Sequence, residues 1–441
     1  MSQASFTHAG APVYLEPSED LPLVDFVVCV RGGAALDPVA QPGLARMTAR
    51  LMRRGTRGVP ASAIDDAIGR LGARLSVTVS RSATRFHGTV LARNLEPFVE
   101  LLAGLIRRPA FRGSDLARAK RRIRHDLRAL REDDYGLAER HLRRAFFPGH
   151  PFGRPVGGTE ASIASLKRPQ IVAHHAATVR ARNLVFGAAG AIDADGLRGL
   201  LERHFADLPG GARPKARIPA TKPPRGRHVL LVHKPERSQT QLGVALLGPK
   251  LKDPHWFPFL VGDAAFGGMF TSRLVQEVRA KRGWSYSAYS QLSVATQRDA
   301  WRMWSHPAVE NAPACAALQL ELLEAWHADG LSPGELRRAK RYLVGSRCFE
   351  EDTAARRLDH RLSAALYGVD QESPATNPHL GGYRRAIRGV TRKAVHEAVA
   401  KRLDPRHLLV VAVGDATRLE APFAKLPGVR SVEVVPFDAR L

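Results

Sequence analysis

Two stretches in the second half of this chain echo two in the first, at nearly the same displacement. Leu116-Ala-Arg-Ala-Lys-Arg-Arg-Ile returns as Leu336-Arg-Arg-Ala-Lys-Arg-Tyr-Leu. Asn183-Leu-Val-Phe-Gly-Ala-Ala-Gly-Ala returns as His407-Leu-Leu-Val-Val-Ala-Val-Gly-Asp. Both displacements are about 220 residues. Two copies make a duplication rather than a solenoid, which needs more repeats to bury a continuous core. Each copy reads as strands, helices, then a final strand and helix. That order predicts an α+β fold of two homologous domains, each a mostly antiparallel sheet packed with helices, related by a pseudo-twofold. Five prolines between Pro209 and Arg227, with glycines and cations and little apolar content, predict a linker. The expected division is residues 1–210, a linker at 211–227, and 228–441.

Within the first copy, Leu23 to Val30 is a buried-strand pattern that Gly32, Gly33 and Asp37-Pro38 bring to an end. Ala73 to Ser80 and Ala83 to Ala92 read as two strands joined by a short turn. Leu95 to Ile106 and Asp115 to Leu130 read as helices, the second strongly basic. Ala181 to Ile192 is a strand and Asp195 to Phe205 a helix. Thr240 to Leu247 repeats the opening strand.

The formal net charge is +25, and most of the cations are arginine. They are spread along the chain, with no zinc-finger spacing and no aromatic signature of RNA binding, so nucleic acid is not the expected partner. Cys29, Cys315 and Cys348 are odd in number and far apart, which fits small buried residues rather than a disulfide framework. No run approaches the roughly 20 apolar residues that span a bilayer. The N-terminus carries no leader pattern, so the sequence as given reads as cytoplasmic, with the periplasm open if a leader was removed.

The most informative stretch is Phe266 to Ser290. It reads as a glycine turn (Gly267, Gly268), a helix with Ser272 in position to cap it, a stop at Gly283, and a strand in which Trp284, Tyr286 and Ala288 alternate with Ser285 and Ser287. Ser272, Arg273, Leu274, Arg279, Gly283, Tyr286 and Ser287 match a segment of the pitrilysin/insulinase superfamily of zinc peptidases, "SRL-x-x-x-x-R-E-x-x-G-x-x-Y-S". Ala280 stands in place of its Glu. The chain therefore resembles that superfamily and its processing-peptidase members. On the motif alone, an amphipathic helix with a solvated Arg and a core Tyr remains a competing reading.

The first half carries a second family frame, Gly43 to Thr56, in which Gly43, Leu44, Ala45, Gly55 and Thr56 match. The zinc motif inside it is gone. Arg46 and Arg50 stand where the two His belong, and Ala49 stands where the general-base Glu belongs. The H-x-x-E-H pattern works because two imidazoles hold the metal and the Glu activates its water. A guanidinium stays cationic and has no lone pair to give. The position matching the third ligand is Asp126, beside His125, and a lone pair of that kind on a basic helix reads as solvated or ion-paired. No metal site is expected in this chain. Gly149 to Thr159 resembles another family loop, where His150 reads as a turn residue.

The resemblance implies a catalytically inactive subunit of a heteromeric zinc metallopeptidase, one half of a clam shell. The zinc belongs to a homologous partner subunit carrying H-x-x-E-H. Arg279 and Tyr286 would bind the peptide substrate and stabilise its transition state at the partner's site. Two alternatives stay open: a structural member, like the core proteins of respiratory complexes, and a chain that binds peptides without a partner.

Overall fold

The computed structural model describes residues 4–216, 218–369 and 377–439. It contains two six-stranded sheets, each packed with helices. The strands are β1 (Ala4–His8), β2 (Ala11–Pro17), β3 (Leu23–Arg31), β4 (Arg74–Val79), β5 (Ala83–Leu91), β6 (Leu184–Gly190), β7 (Arg227–His233), β8 (Gln241–Leu247), β9 (Ala288–Gln291), β10 (Ala300–Ser305), β11 (Leu408–Gly414) and β12 (Val429–Pro436).

The order in the first sheet is β1-β2-β6-β3-β5-β4, and in the second β12-β7-β11-β8-β10-β9. Five positions correspond one to one, down to the parallel pairs β2–β6 and β7–β11. The repeat read from the sequence is therefore a repeat of topology. The remaining edge position is filled differently. β1 supplies it from the N-terminal side, antiparallel, and β12 from the C-terminal side, parallel. Antiparallel pairs outnumber parallel ones in both sheets.

The chain forms two compact units. One is drawn from Met1–Leu127, Pro155–Arg217 and Cys348–Pro374, the other from Arg128–Arg154, Ile218–Arg347 and Ala375–Leu441. Each unit thus takes one helix from the opposite half of the sequence. In the first unit, Ala354–Tyr367 lays Ala354, Leu358, Leu362 and Ala365 on Tyr14, Val27, Cys29, Val185 and Ala189 of the first sheet. Buried Arg361 meets Glu16 of β2 at 3.0 Å, Arg85 of β5 meets Asp359, and Arg31 donates to the Ala365 carbonyl at 2.6 Å. In the second unit, Asp134–Phe146 lays Leu137, Ala138, Leu142 and Phe146 on Leu230, Val232, Ala245, Val411 and Trp304. Arg143 forks onto Asp299 at 2.9 and 3.3 Å and reaches Glu139 at 2.7 Å, and Glu139 also meets Arg302. Burial alone would raise the Asp299 carboxyl pKa; the Arg143 guanidinium, with the Ala300 N–H and Arg302, outweighs that and holds it below the ordinary range.

Between Phe205 and Arg227 the described residues form no helix or strand. Ile218 packs on the second unit's core and Thr221 donates to the Arg298 carbonyl. Cys29 and Cys315 are buried as expected, whereas Cys348 is exposed. Among the described residues no helix is long and apolar enough to cross a membrane.

Candidate functional site

The Phe266–Ser290 stretch lies on the second unit's aromatic core. Phe266 stacks on Trp326 with ring centroids 4.6 Å apart, and Phe259 and Trp301 close around them. Such pairs contribute about 0.5–1.5 kcal/mol each beyond area burial. Gly267 lies flat against β9, where a Cβ would come within 2.6 Å of the Ser290 backbone nitrogen. Beneath it, Asp263 is fully buried and accepts from Ser290 Oγ at 2.5 Å and Trp301 Nε1 at 2.6 Å. Burial pushes its carboxyl pKa up, and the two hydrogen bonds offset only part of that.

The expected helix is present but irregular. Ala264–Gly268 is π-helical, Arg273–Val275 is α-helical, and Gln276–Lys281 is π-helical again. A π turn closes over one residue more than an α turn and is common at functional sites. Neither was legible from periodicity. Ser272 holds the N-cap position, but its buried hydroxyl has no partner among the described residues, so it does not cap as expected. Arg273 is structural: it forks onto Glu335 at 3.0 Å twice and donates to the Gly330 carbonyl. Gly283, at φ 63°, turns the chain, its N–H donating to the Arg279 carbonyl. The strand expected from Trp284 begins only at Ala288. Before it, the Ser285 hydroxyl donates to the Ser287 carbonyl and accepts from His306 N–H, which bends the segment out of a ladder.

That bend brings Arg279 and Tyr286 together. The Arg279 guanidinium carbon sits 4.4 Å from the Tyr286 ring centroid and 4.8 Å from that of Phe270. Tyr286 is 84% exposed and Phe270 68%. Each cation–π contact at an exposed site is worth about 0.5–1 kcal/mol, enough to bias the guanidinium toward one place. Among the described residues Arg279 has no ion pair and the Tyr286 hydroxyl no hydrogen bond. The nearby carboxylate, Glu277, is occupied by Lys281 at 2.5 Å and Arg282 at 2.7 Å, and Ala280 offers none. A charged fork and a phenol thus face solvent, pre-positioned by stacking. Phe270 was missed in the sequence because an exposed aromatic in a turn has no periodicity to mark it.

The degenerate metal motif lies on Leu44–Met52 in the first unit. Asp37 accepts from the Gly43 and Ala45 N–H groups at 2.8 Å each and fixes the helix start. Gly43, at φ 94°, lets the chain pass within contact of Gly158. Arg46 extends over Gly157, where a Cβ would lie 2.9 Å from its Nη1. Ala49 is buried. Arg50 Nη1 lies 3.6 Å from Asp126 Oδ2, and Arg122 holds the other oxygen at 3.0 Å. Two of the motif's positions, Arg50 and Asp126, therefore do meet, and with Arg122 they form a cation–carboxylate cluster. One carboxylate shared by two guanidiniums does not fit zinc, which needs several lone pairs at about 2.0–2.3 Å. Among the described residues no three of His, Cys, Asp and Glu gather as a metal would require. His150 is a turn residue: its Nδ1 accepts from Phe152 N–H, which leaves Nε2 to donate to the Pro219 carbonyl.

Residues 13–160 match the family description "Insulinase (Peptidase family M16)", and residues 165–343 match "Peptidase M16 inactive domain". The chain belongs to the peptidase M16 family. An uncharacterized zinc protease of Mycobacterium tuberculosis is 28% identical over 376 residues, 84% of each chain. A non-peptidase homolog, YmxG, of Helicobacter pylori is 23% identical over 378 residues, 84% of this chain and 85% of that one. The fold is similar to that of a peptidase M16 inactive domain from Pseudomonas fluorescens, with TM-score 0.85 and 24% identity over 94% of this chain and 98% of that one. It is also similar to a chain of complex III2 from Candida albicans, with TM-score 0.78 and 15% identity over 97% of this chain and all of that one.

The metal result is directly checkable. The purified chain, dialysed and analysed for elements, should carry no stoichiometric zinc and cleave no peptide by itself. One tightly held zinc per chain, or peptidase activity that a chelator removes, would contradict the reading of Arg46, Ala49 and Arg50.

Proposed function

We propose that this chain is the metal-free member of a two-chain M16 peptidase, in which a homologous subunit supplies the zinc and this chain supplies Arg279 and Tyr286. The observation that carries the reading is the exposed stack of Phe270, Arg279 and Tyr286, in which, among the described residues, the guanidinium makes no ion pair and the phenol O–H no hydrogen bond. An Arg fork suits a peptide carbonyl or carboxylate. A phenol O–H suits a carbonyl oxygen that becomes an oxyanion, and one such donor is worth about 2–4 kcal/mol in a transition state. The chain's own degenerate motif supplies neither metal nor base, so the chemistry has to come from elsewhere.

The test is reconstitution. Co-expressed with a homologue carrying intact H-x-x-E-H, this chain should co-purify, and peptide hydrolysis should need both chains. A partner fully active without this chain would remove the proposal. A second reading, a scaffold without a peptide site, is favoured by the ion pairs that fill the lost metal position. It predicts a stable complex whose hydrolysis ignores any change at Arg279 or Tyr286.

A further inference from the structure

The lost metal site lies beside a cleft of about 210 Å³ lined by Arg50, Arg54, Asp115, Arg118, Ala119 and Arg122. Its walls are two helical segments that each present a pair of arginines four residues apart. Arg50 and Arg54 come from the end of Leu44–Met52 and the turn after it, and Arg118 and Arg122 from Gly113–Ala129. Arg118 and Arg122, four apart, share one face of their helix, and all four arginines line the cleft. Four cations here face one lining carboxylate, Asp115, and one neighbour, Asp126. The cations remain in excess.

Arg122 Nε donates to Asp126 at 3.0 Å, but among the described residues the other three arginines make no side-chain hydrogen bond to a carboxylate. Arg50 reaches Asp126 only at 3.6 Å and Arg54 reaches Asp115 only at 3.7 Å, both beyond hydrogen-bond distance. Asp115 is itself approached by Arg112 at 3.8 Å. Arg118 has no ion pair or hydrogen bond among the described residues. Like charges lining one cleft repel, and a bound anion relieves the repulsion. Guanidinium forks match the geometry of phosphate and carboxylate oxygens.

We propose that this cleft, beside the degenerate metal motif, is an oxyanion site that binds a phosphate or carboxylate group. The inference is independent of Arg279 and Tyr286. The probes are inorganic phosphate and, in a separate arm, citrate. Each is titrated by calorimetry into the full chain in a low-salt chloride buffer. At least one should bind saturably with one site per chain. Arg118→Ala and Arg54→Ala should each weaken it about tenfold or more, as expected for losing one charge-assisted donor. Arg118 is exposed and unpaired, so its removal leaves folding intact, and far-ultraviolet circular dichroism checks this. Arg124→Ala removes the same charge from the same helix outside the cleft and should leave binding unchanged. Preference for phosphate or for citrate identifies which oxyanion the site takes. No saturable binding of either probe overturns the proposal. So does equal weakening by Arg124→Ala, which would mean general attraction to a basic surface.

Discussion

Tyr286→Phe, in an assembled complex that cleaves peptide, is expected to lower kcat and kcat/KM together by about 10²–10³-fold, with KM nearly unchanged. The substitution keeps the ring, so the stack with Arg279 and the fold survive; it removes only the O–H. An interaction made solely in the transition state appears in kcat and kcat/KM alike. Should the phenol instead hold the ground-state substrate, KM would rise and kcat would stay. Arg279→Ala removes a directional charge and also frees Tyr286 from its cation–π contact at 4.4 Å, so it should disturb both constants. Assembly must be confirmed for each variant by gel filtration. Full activity in both assembled variants would end the assignment of this pair to a peptidase site.

Arg143→Ala is expected to destabilise the second unit by about 3–5 kcal/mol, because it leaves the buried Asp299 carboxylate short of its main cation. Arg143 serves Asp299 and Glu139 together, and only Arg302 and the Ala300 N–H remain when it is gone. The same helix, Asp134–Phe146, would lose its main polar fastening to the sheet. Intrinsic fluorescence reports the effect selectively, since all five tryptophans of the chain fall within this unit. The denaturation midpoint of that signal should fall well below the parent's. Arg143→Met with Asp299→Leu, which removes cation and main carboxylate together, should recover a large part of the loss. An unchanged midpoint in Arg143→Ala would show that the cluster is solvated rather than buried.

The repeat at about 220 residues was enough to anticipate two copies of one topology, because a duplicated strand pattern has to bury the same face twice. It could not show that β1 and β12 fill the same edge from opposite ends of the chain, since an edge strand needs little patterning of its own. The exchanged helices were also hidden. The apolar stripe of Leu137, Leu142 and Phe146 says that one face is buried, not which sheet receives it. At the candidate site, motif spacing named Arg279 and Tyr286, and the structure stacks them. The π turns, the buried Asp263 and the flanking Phe270 depend on tertiary packing and leave no local signature. The family resemblance placed Arg50 and Asp126 at ligand positions, and the guanidinium of Arg50 has no lone pair to give a metal. The cleft that Arg50, Arg54, Arg118 and Arg122 line together emerges only in three dimensions.

Translation is the stage at which the helix exchange matters most. A ribosome finishes the first sheet when β6 emerges, yet its covering helix lies much further on: Arg361 and Glu16, which pair in the folded chain, are 345 residues apart. At about 5–20 residues per second, the gap between β6 and that helix takes on the order of ten seconds or more to synthesise. Throughout that interval Tyr14, Val27, Cys29, Val185 and Ala189 present a bare apolar face to solvent or to a chaperone. The early helix Asp134–Phe146 waits in the same way for a sheet not yet made. Neither unit can close domain by domain as the chain emerges, so nascent and prematurely terminated chains, rather than the finished protein, carry the aggregation risk.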